Sequence, residues 1–230
     1  DLCLVGSEMC IRDRYYNCMS GSKINVAKQA IDYIKDKLHP EMILGIGTGS
    51  TVNFFIEELK DLRNNFAGAV SSSEASSRLL SENGIEVFNL NDISEIAFYI
   101  DGADEVAPNR ELIKGGGGAH TREKIVASAA KEFICIVDDS KIVTKLGAFP
   151  LPVEVIPESR SLVARRIVSM GGVPEYRAGF TTDQGNQILD VREIDISDPI
   201  ELESLLNTIP GVVDNGIFAF NKPSVVLISK

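Results

Sequence analysis

Apolar positions along this chain follow a helical rhythm and a strand rhythm in alternation. Ile24, Ala27, Ile31, Ile34 and Leu38 share one helical face, and His39-Pro40 stops that helix. Met42–Ile46 is a short apolar strand that enters the turn Gly45-Ile46-Gly47-Thr48-Gly49-Ser50-Thr51. A second helix follows, with Val52, Phe55, Ile56 and Leu59 on its inner face. The pattern then predicts a strand at Ala67–Val70 running into Ser71, Ser72 and Ser73, a helix near Ala75–Glu82, a strand at Ile85–Phe88, and a strand at Ile96–Ile100 that ends on Asp101. Thr121 is placed to cap a helix whose apolar face is Ile125, Val126, Ala129 and Ala130, and Phe133–Val137 reads as the next strand. Strands alternating with helices imply an α/β fold with a doubly wound, mainly parallel sheet.

The character changes near Phe149-Pro150-Leu151-Pro152. Val153–Ile156 is strand-like, and Leu162–Met170 is helical and ends at Gly171-Gly172. Glu175–Arg177 and Ile188–Val191 flank a turn at Asp183–Asn186, and Pro199–Leu206 forms another helix. This order predicts a second, smaller α+β domain over 150–220. Val212-Val213, Ile217–Phe220 and Val225–Ile228 supply closing strands, the last rejoining the large sheet, so the first domain spans 21–149 and is completed by 221–230.

Residues 1–20 keep neither rhythm. Val5–Arg14 looks like translated sequencing-adapter read-through rather than a signal peptide, so 1–20 is read as an extraneous or disordered segment and Met19 as the natural start. Cys3, Cys10 and Cys18 leave the fold with it. Cys135 then stands alone in a strand, as a small buried hydrophobe, and a cytoplasmic location is expected. A chain of 230 residues, 44% hydrophobic and 24% charged, can bury a sizeable core. Its net charge of -10 argues against nucleic acid or an anionic membrane as partner of the whole surface, while leaving room for a local basic pocket.

The candidate chemistry concentrates between Tyr99 and Lys124. Asp101 sits where a buried strand ends, followed by Gly102, Ala103 and Asp104. Lys114 leads into Gly115, Gly116, Gly117 and Gly118, and Glu123 falls in the first turn of the next helix. Consecutive glycines bring backbone N–H groups close to an anion. A carboxylate at a helix start is expected to stay ionised at neutral pH, as a base that accepts a proton from carbon must. Thr48, Gly49, Ser50 and Thr51 lie between a strand and a helix, where backbone N–H groups bind phosphate. A dinucleotide site would need a third spaced glycine and an acid after the next strand. Here serines stand instead, hydroxyls that suit a sugar or phosphate, with Glu74 as a possible substitute acid. Lys141 also follows a strand and is a candidate ligand contact, whereas Lys28 and Lys35 read chiefly as solvated charge.

Four motifs in order give these residues a family. Gly45–Thr51, Asp101-Gly-Ala-Asp-Glu105, Lys114–Gly118 with Thr121-Arg-Glu-Lys124, and Phe149–Ile156 resemble the type A ribose-5-phosphate isomerases, over Ser22–Lys230. The resemblance implies a Rossmann-like domain with a smaller α+β domain used for oligomerisation, a homodimer or homotetramer, and no metal or organic cofactor. It implies an aldose–ketose isomerase of the non-oxidative pentose phosphate pathway that interconverts ribose 5-phosphate and ribulose 5-phosphate through a cis-enediol. Glu123 would be the base. Asp101 would open the sugar ring, Asp104 would orient hydroxyls or Lys114, and Lys114 with glycine N–H groups would steady the enediolate. Thr48–Thr51, Asp101–Asp104, Lys114–Gly117 and Lys141 would bind substrate. Two departures stand out: a first-helix lysine of many members aligns with Ala27, and His120 occupies a place where several members have leucine, with no catalytic role. A sugar-phosphate sensor would add a basic helix-turn-helix, which this acidic chain does not show. A nicotinamide oxidoreductase is the other alternative, and NADH titration tests it.

Overall fold

The computed structural model describes residues 21–229, so the expectations for 1–20 and the three cysteines near its start lie outside the described residues. In chain order the elements are α1 (21–34), β1 (Ile43–Ile46), α2 (Ser50–Leu59), β2 (Gly68–Ser71), α3 (Glu74–Glu82) and β3 (Ile96–Asp101). They continue as β4 (Glu105–Val106), β5 (Leu112–Ile113), α4 (His120–Ala129), β6 (Ala130–Asp138), β7 (Leu151–Val155) and α5 (Arg160–Ser169). The last are β8 (Val173–Tyr176), β9 (Gln187–Arg192), α6 (Pro199–Asn207), β10 (Val212–Asn215), β11 (Ile217–Phe218) and β12 (Val225–Ser229).

Five strands form a parallel sheet in the order β2-β1-β3-β6-β12. Its strands read as continuous apolar runs because both faces are covered. Leu44, Ile46, Phe98, Ile100, Ile134 and Ile136 pack with Val26, Ala27, Ala30 and Ile34 of α1 and with Val52, Phe55, Ile56 and Leu59 of α2. Tyr99, Phe133, Cys135 and Val137 turn to the other face, under Val126 and Ala127 of α4. Burial pushes the Cys135 thiol up to about 12, so it acts as a hydrophobe rather than a nucleophile.

A second, antiparallel sheet runs β10-β7-β9-β8 and is packed by α5 and α6 through Val153, Val155, Val163, Ile167, Leu189, Val191, Leu202 and Leu206. A third, of order β11-β5-β4, joins the two regions: Ile217 pairs with Ile113, and Glu105 pairs with Ile113 from the other side.

Two predicted elements differ. Ile85–Phe88 is not a ladder strand; it touches β2 through a single bridge between Val87 and Ala69. It stops there because the Asn89 carboxamide accepts from the Asn91 N–H and bends the chain into a short turn. Ala130, predicted on the face of α4, is already the first residue of β6, opposite Ile96.

Candidate active site

From β1 the chain goes to β2 on one side, while β3 lies on the other, so a crevice opens at the carboxyl ends of these strands. The two loops that line it are tied together. A Cβ on Gly47 would lie 1.9 Å from the Asp101 carboxyl carbon, so only glycine lets the β1 turn close over that group. The Thr48 N–H then donates to Asp101 Oδ1 at 3.0 Å. The Thr48 hydroxyl is within 2.9 Å of Ser72 Oγ and 2.8 Å of Ser73 Oγ, and Ser76 Oγ donates to the Gly47 carbonyl at 2.7 Å. The serine trio was expected to meet a ligand. All three are buried and hold the turn instead, with Ser73 capping α3. Glu74 is paired with Arg122 at 2.8 Å.

Asp101 is fully buried with every acceptor site used. Oδ1 also accepts from the Gly102 N–H at 2.7 Å, and Oδ2 accepts from the Tyr99 hydroxyl at 2.5 Å and from Lys114 Nζ at 2.7 Å. It lies against Lys114 and is not among the residues that line the cavity. Lys114 extends from the end of β5, donates to the Gly102 carbonyl at 2.5 Å, and lies 3.2 Å from Glu123 Oε2. Burial lowers the lysine, but Asp101 and Glu123 outweigh it and hold the ammonium above its usual range. Glu123 goes the other way. Burial and the Asp101 charge push it up to about 8 against the pull of Lys114, which reverses the expectation that the helix start keeps it ionised at neutral pH. Apart from the Lys114 ammonium, its Oε2 has no polar partner among the described residues.

Helix α4 also departs from its predicted face. Its N-cap is Ala119, without a side-chain cap, and the Thr121 hydroxyl donates to Glu154 of β7. Ile125 is 50% exposed, while His120, Thr121, Glu123 and Lys124 are buried. Lys124 pairs with Asp214 at 2.8 Å and Glu203 at 3.0 Å, fastening the helix to the second sheet's layer. These contacts fix the direction of Glu123. The His120 ring is buried without a hydrogen-bond partner among the described residues and held near 3, hence neutral, by burial and by Lys124.

The crevice holds a cavity of about 220 Å³. That is below the roughly 300–1,000 Å³ of pockets for larger ligands, and it suits a small polar molecule. It is lined by Thr48, Gly49, Ser50 and Thr51 after β1, by Gly102, Ala103 and Asp104 after β3, by Lys114, Gly115, Gly116 and Gly117 after β5, by Glu123 of α4 and by Lys141. Asp104 Oδ2 accepts from the Gly116 N–H at 2.8 Å and so braces the glycine loop; among the described residues it forms no ion pair with a lysine. Gly49 takes φ 126° at the start of α2, which has no side-chain cap. The first helical bond is made by the Asn53 N–H, and the N–H groups of Ser50, Thr51 and Val52 precede it. A helix start of this kind attracts an anion.

Lys23 was missed in the sequence. It reaches from α1 to Ser50 Oγ at 2.9 Å and lines the cavity end. Nothing in its spacing separates it from Lys28, which faces Glu58 at 3.8 Å on the surface, or from Lys35, which faces Asp32.

A buried carboxylate beside a lysine, across a small cavity from an anion-binding helix start in an α/β sheet, defines an enzyme of proton transfer on a small anionic substrate. Residues 68–230 match the sequence model of the family described as ribose 5-phosphate isomerase A (phosphoriboisomerase A). The chain is 56% identical over 211 residues to ribose-5-phosphate isomerase A of Legionella pneumophila (strain Corby), covering 92% of this chain and 96% of that one. The crystal structure of ribose 5 phosphate isomerase A from Neisseria gonorrhoeae is 48% identical, covers 92% and 93% of the two chains, and superposes with a TM-score of 0.88. A D-ribose-5-phosphate isomerase in complex with phospho-erythronic acid is 37% identical, covers 90% and 93%, and gives a TM-score of 0.82. The chain therefore belongs to the ribose 5-phosphate isomerase A family.

Proposed function

We propose that this protein interconverts ribose 5-phosphate and ribulose 5-phosphate, with Glu123 as the base. The observation that carries this is the row Asp101–Lys114–Glu123, 2.7 Å and 3.2 Å apart, with Lys114 and Glu123 both lining the cavity. Lys23, Lys141 and the start of α2 would take the phosphate, which sets the open-chain sugar along the cavity with its carbonyl end toward Lys114. Glu123 then removes the C2 proton, the hydroxyl proton passes from O2 to O1 of the enediolate, and Glu123 returns its proton to C1 as the C2 carbonyl forms. Negative charge develops on the carbonyl oxygen of the enediolate, where Lys114 and glycine N–H groups oppose it with no solvent reorganisation. Burial favours the reaction twice: it raises the basicity of Glu123 and strengthens the field of Lys114. Asp104, which lines the cavity, is read as orienting the substrate hydroxyls, and Asp101, which holds Lys114 in place, as assisting ring opening.

The reaction is proposed to need no metal or organic cofactor. Incubation with ribose 5-phosphate in excess chelator should yield ketopentose phosphate, and no product would refute the reading. Among the described residues no helix is long and apolar enough to cross a membrane. We further read 150–220 as an oligomerisation unit of a cytoplasmic homodimer or homotetramer. Exposed Ile156, Leu162, Val168 and Val173 support that reading, and light scattering on the purified protein tests it.

A further inference from the structure

The glycine run is gripped from outside the cavity by a residue that the chemistry above does not use. Arg177, just beyond β8, is locked to Asp190 of β9 by Nε to Oδ2 at 2.8 Å and Nη2 to Oδ1 at 2.5 Å, and lies 5.4 Å from the Phe180 ring centroid. Its remaining nitrogen, Nη1, donates to the carbonyls of both Gly115 and Gly116 at 3.2 Å each. Across a trans peptide the C=O and the following N–H point opposite ways. The Gly115 carbonyl faces Arg177, and the Gly116 N–H accordingly faces Asp104, at 2.8 Å. By the same rule the Gly116 carbonyl turns the Gly117 N–H away from Arg177, to the side lined by Asp104 and the cavity. That N–H makes no backbone hydrogen bond in the turn among the described residues. Within the run the Gly118 N–H donates to the Gly115 carbonyl at 2.9 Å and closes a turn, but no internal bond and no side chain holds the central Gly116–Gly117 peptide, so its orientation is selected from outside, by Arg177 on the Gly116 carbonyl.

We propose that Arg177 is a positioning residue for isomerisation: by holding two glycine carbonyls it keeps the Gly117 N–H aimed at the oxygen that becomes negative in the enediolate. It also polarises those peptides, which makes the N–H a stronger donor. The second sheet is thereby part of the machinery, through Asp190 and Arg177, although it supplies no cavity wall at this point. The proposal rests on the isomerase reading and deepens it.

The test compares R177A, R177K and D190N with wild type. Turnover of ribose 5-phosphate is measured, along with calorimetric binding of phospho-erythronic acid and of erythritol 4-phosphate. The acid places negative charge where the enediolate oxygens develop; the alcohol has the same phosphate and carbons without that charge. R177A should lose about 10- to 100-fold in kcat with KM within about 3-fold, because an oxyanion donor is misaimed rather than deleted. It should bind the acid about tenfold more weakly and the alcohol as wild type does. R177K should recover part of both losses, and D190N should show a smaller version of them. A kcat within 2-fold of wild type, or equal weakening of both ligands, overturns the proposal. If R177A does not fold, R177K and D190N decide it by the same two readouts. Wild-type protein that fails to isomerise ribose 5-phosphate would defeat the isomerase reading instead, so the two failures are distinct.

Discussion

Replacing Glu123 by glutamine keeps the shape of the side chain and removes its ability to take a proton. Glu123 is 4% exposed and faces Lys114 at 3.2 Å, so no bulk water can substitute as base without entering the cavity. Loss of a positioned general base lowers rate by about 10²–10⁴, or about 2.7–5.4 kcal/mol of barrier. Because Glu123 is raised to about 8, its ionised fraction climbs through the neutral range and kcat/KM of the wild type should climb with it. The deficit of the variant should therefore widen about tenfold between pH 7 and pH 9, and its own profile should lack that rise. Stability moves the opposite way. A carboxyl whose folded value lies above its unfolded one favours the folded state at low pH and loses that contribution as pH rises through about 8. E123Q escapes this loss and leaves Lys114 balanced by Asp101 alone, so at pH 9 it should unfold about 2–4 °C above wild type, corresponding to about 1 kcal/mol. The assays are ketopentose phosphate formation across pH, solvent deuterium uptake at C1, and calorimetric melting. Activity within a few-fold of wild type at pH 9 would refute the reasoning.

K114M should leave Asp101 and Glu123 as two unpaired buried carboxylates and lose about 3–5 kcal/mol of stability in denaturant titration; D101N added to it should restore part of the stability and none of the activity. G47A forces the Asp101 carboxyl away from a Cβ that would sit 1.9 Å from it, and should cost about 1–3 kcal/mol together with a fall in kcat, read by melting and steady-state rates. K23A removes a cation from the end of the cavity near Ser50; KM for ribose 5-phosphate should rise about tenfold with kcat nearly unchanged, whereas an unchanged KM would place the phosphate elsewhere.

The sheet was legible because its strands are buried on both faces and show as apolar runs between glycine-rich turns. Thr48, Asp101, Lys114 and Glu123 were legible because they occupy strand ends and a helix start, positions with a physical reason to carry chemistry. The face of α4 was misread for an equally physical reason. Periodicity assumes that buried means apolar, yet Thr121 meets Glu154, Glu123 meets Lys114, and Lys124 meets Asp214 and Glu203, so polar pairs satisfy one another inside while Ile125 is left outside. Ser71, Ser72 and Ser73 were read as ligand groups because hydroxyls at a strand end look alike whether they meet a substrate or each other. The hairpin of β4 and β5, with two residues in each strand, is too short for a period of two to register, although it delivers Lys114. Lys23 and Arg177 act across long sequence separations, and no local spacing marks them.

The parallel sheet is sealed last by β12, which lies beside β6 from Val225 opposite Ile134 to Ser229 opposite Asp138. During synthesis the backbone of β6 emerges long before its neighbour exists. At about 5–20 residues per second its outer edge stands unpaired for several seconds, although α1, α2 and α4 already have the residues to cover Ile134, Cys135, Ile136 and Val137. An open edge of that kind invites strands from other nascent chains. The edge closes only once β12 has been made, so a chain cut before Val225 would carry every cavity residue and still leave β6 open to foreign strands.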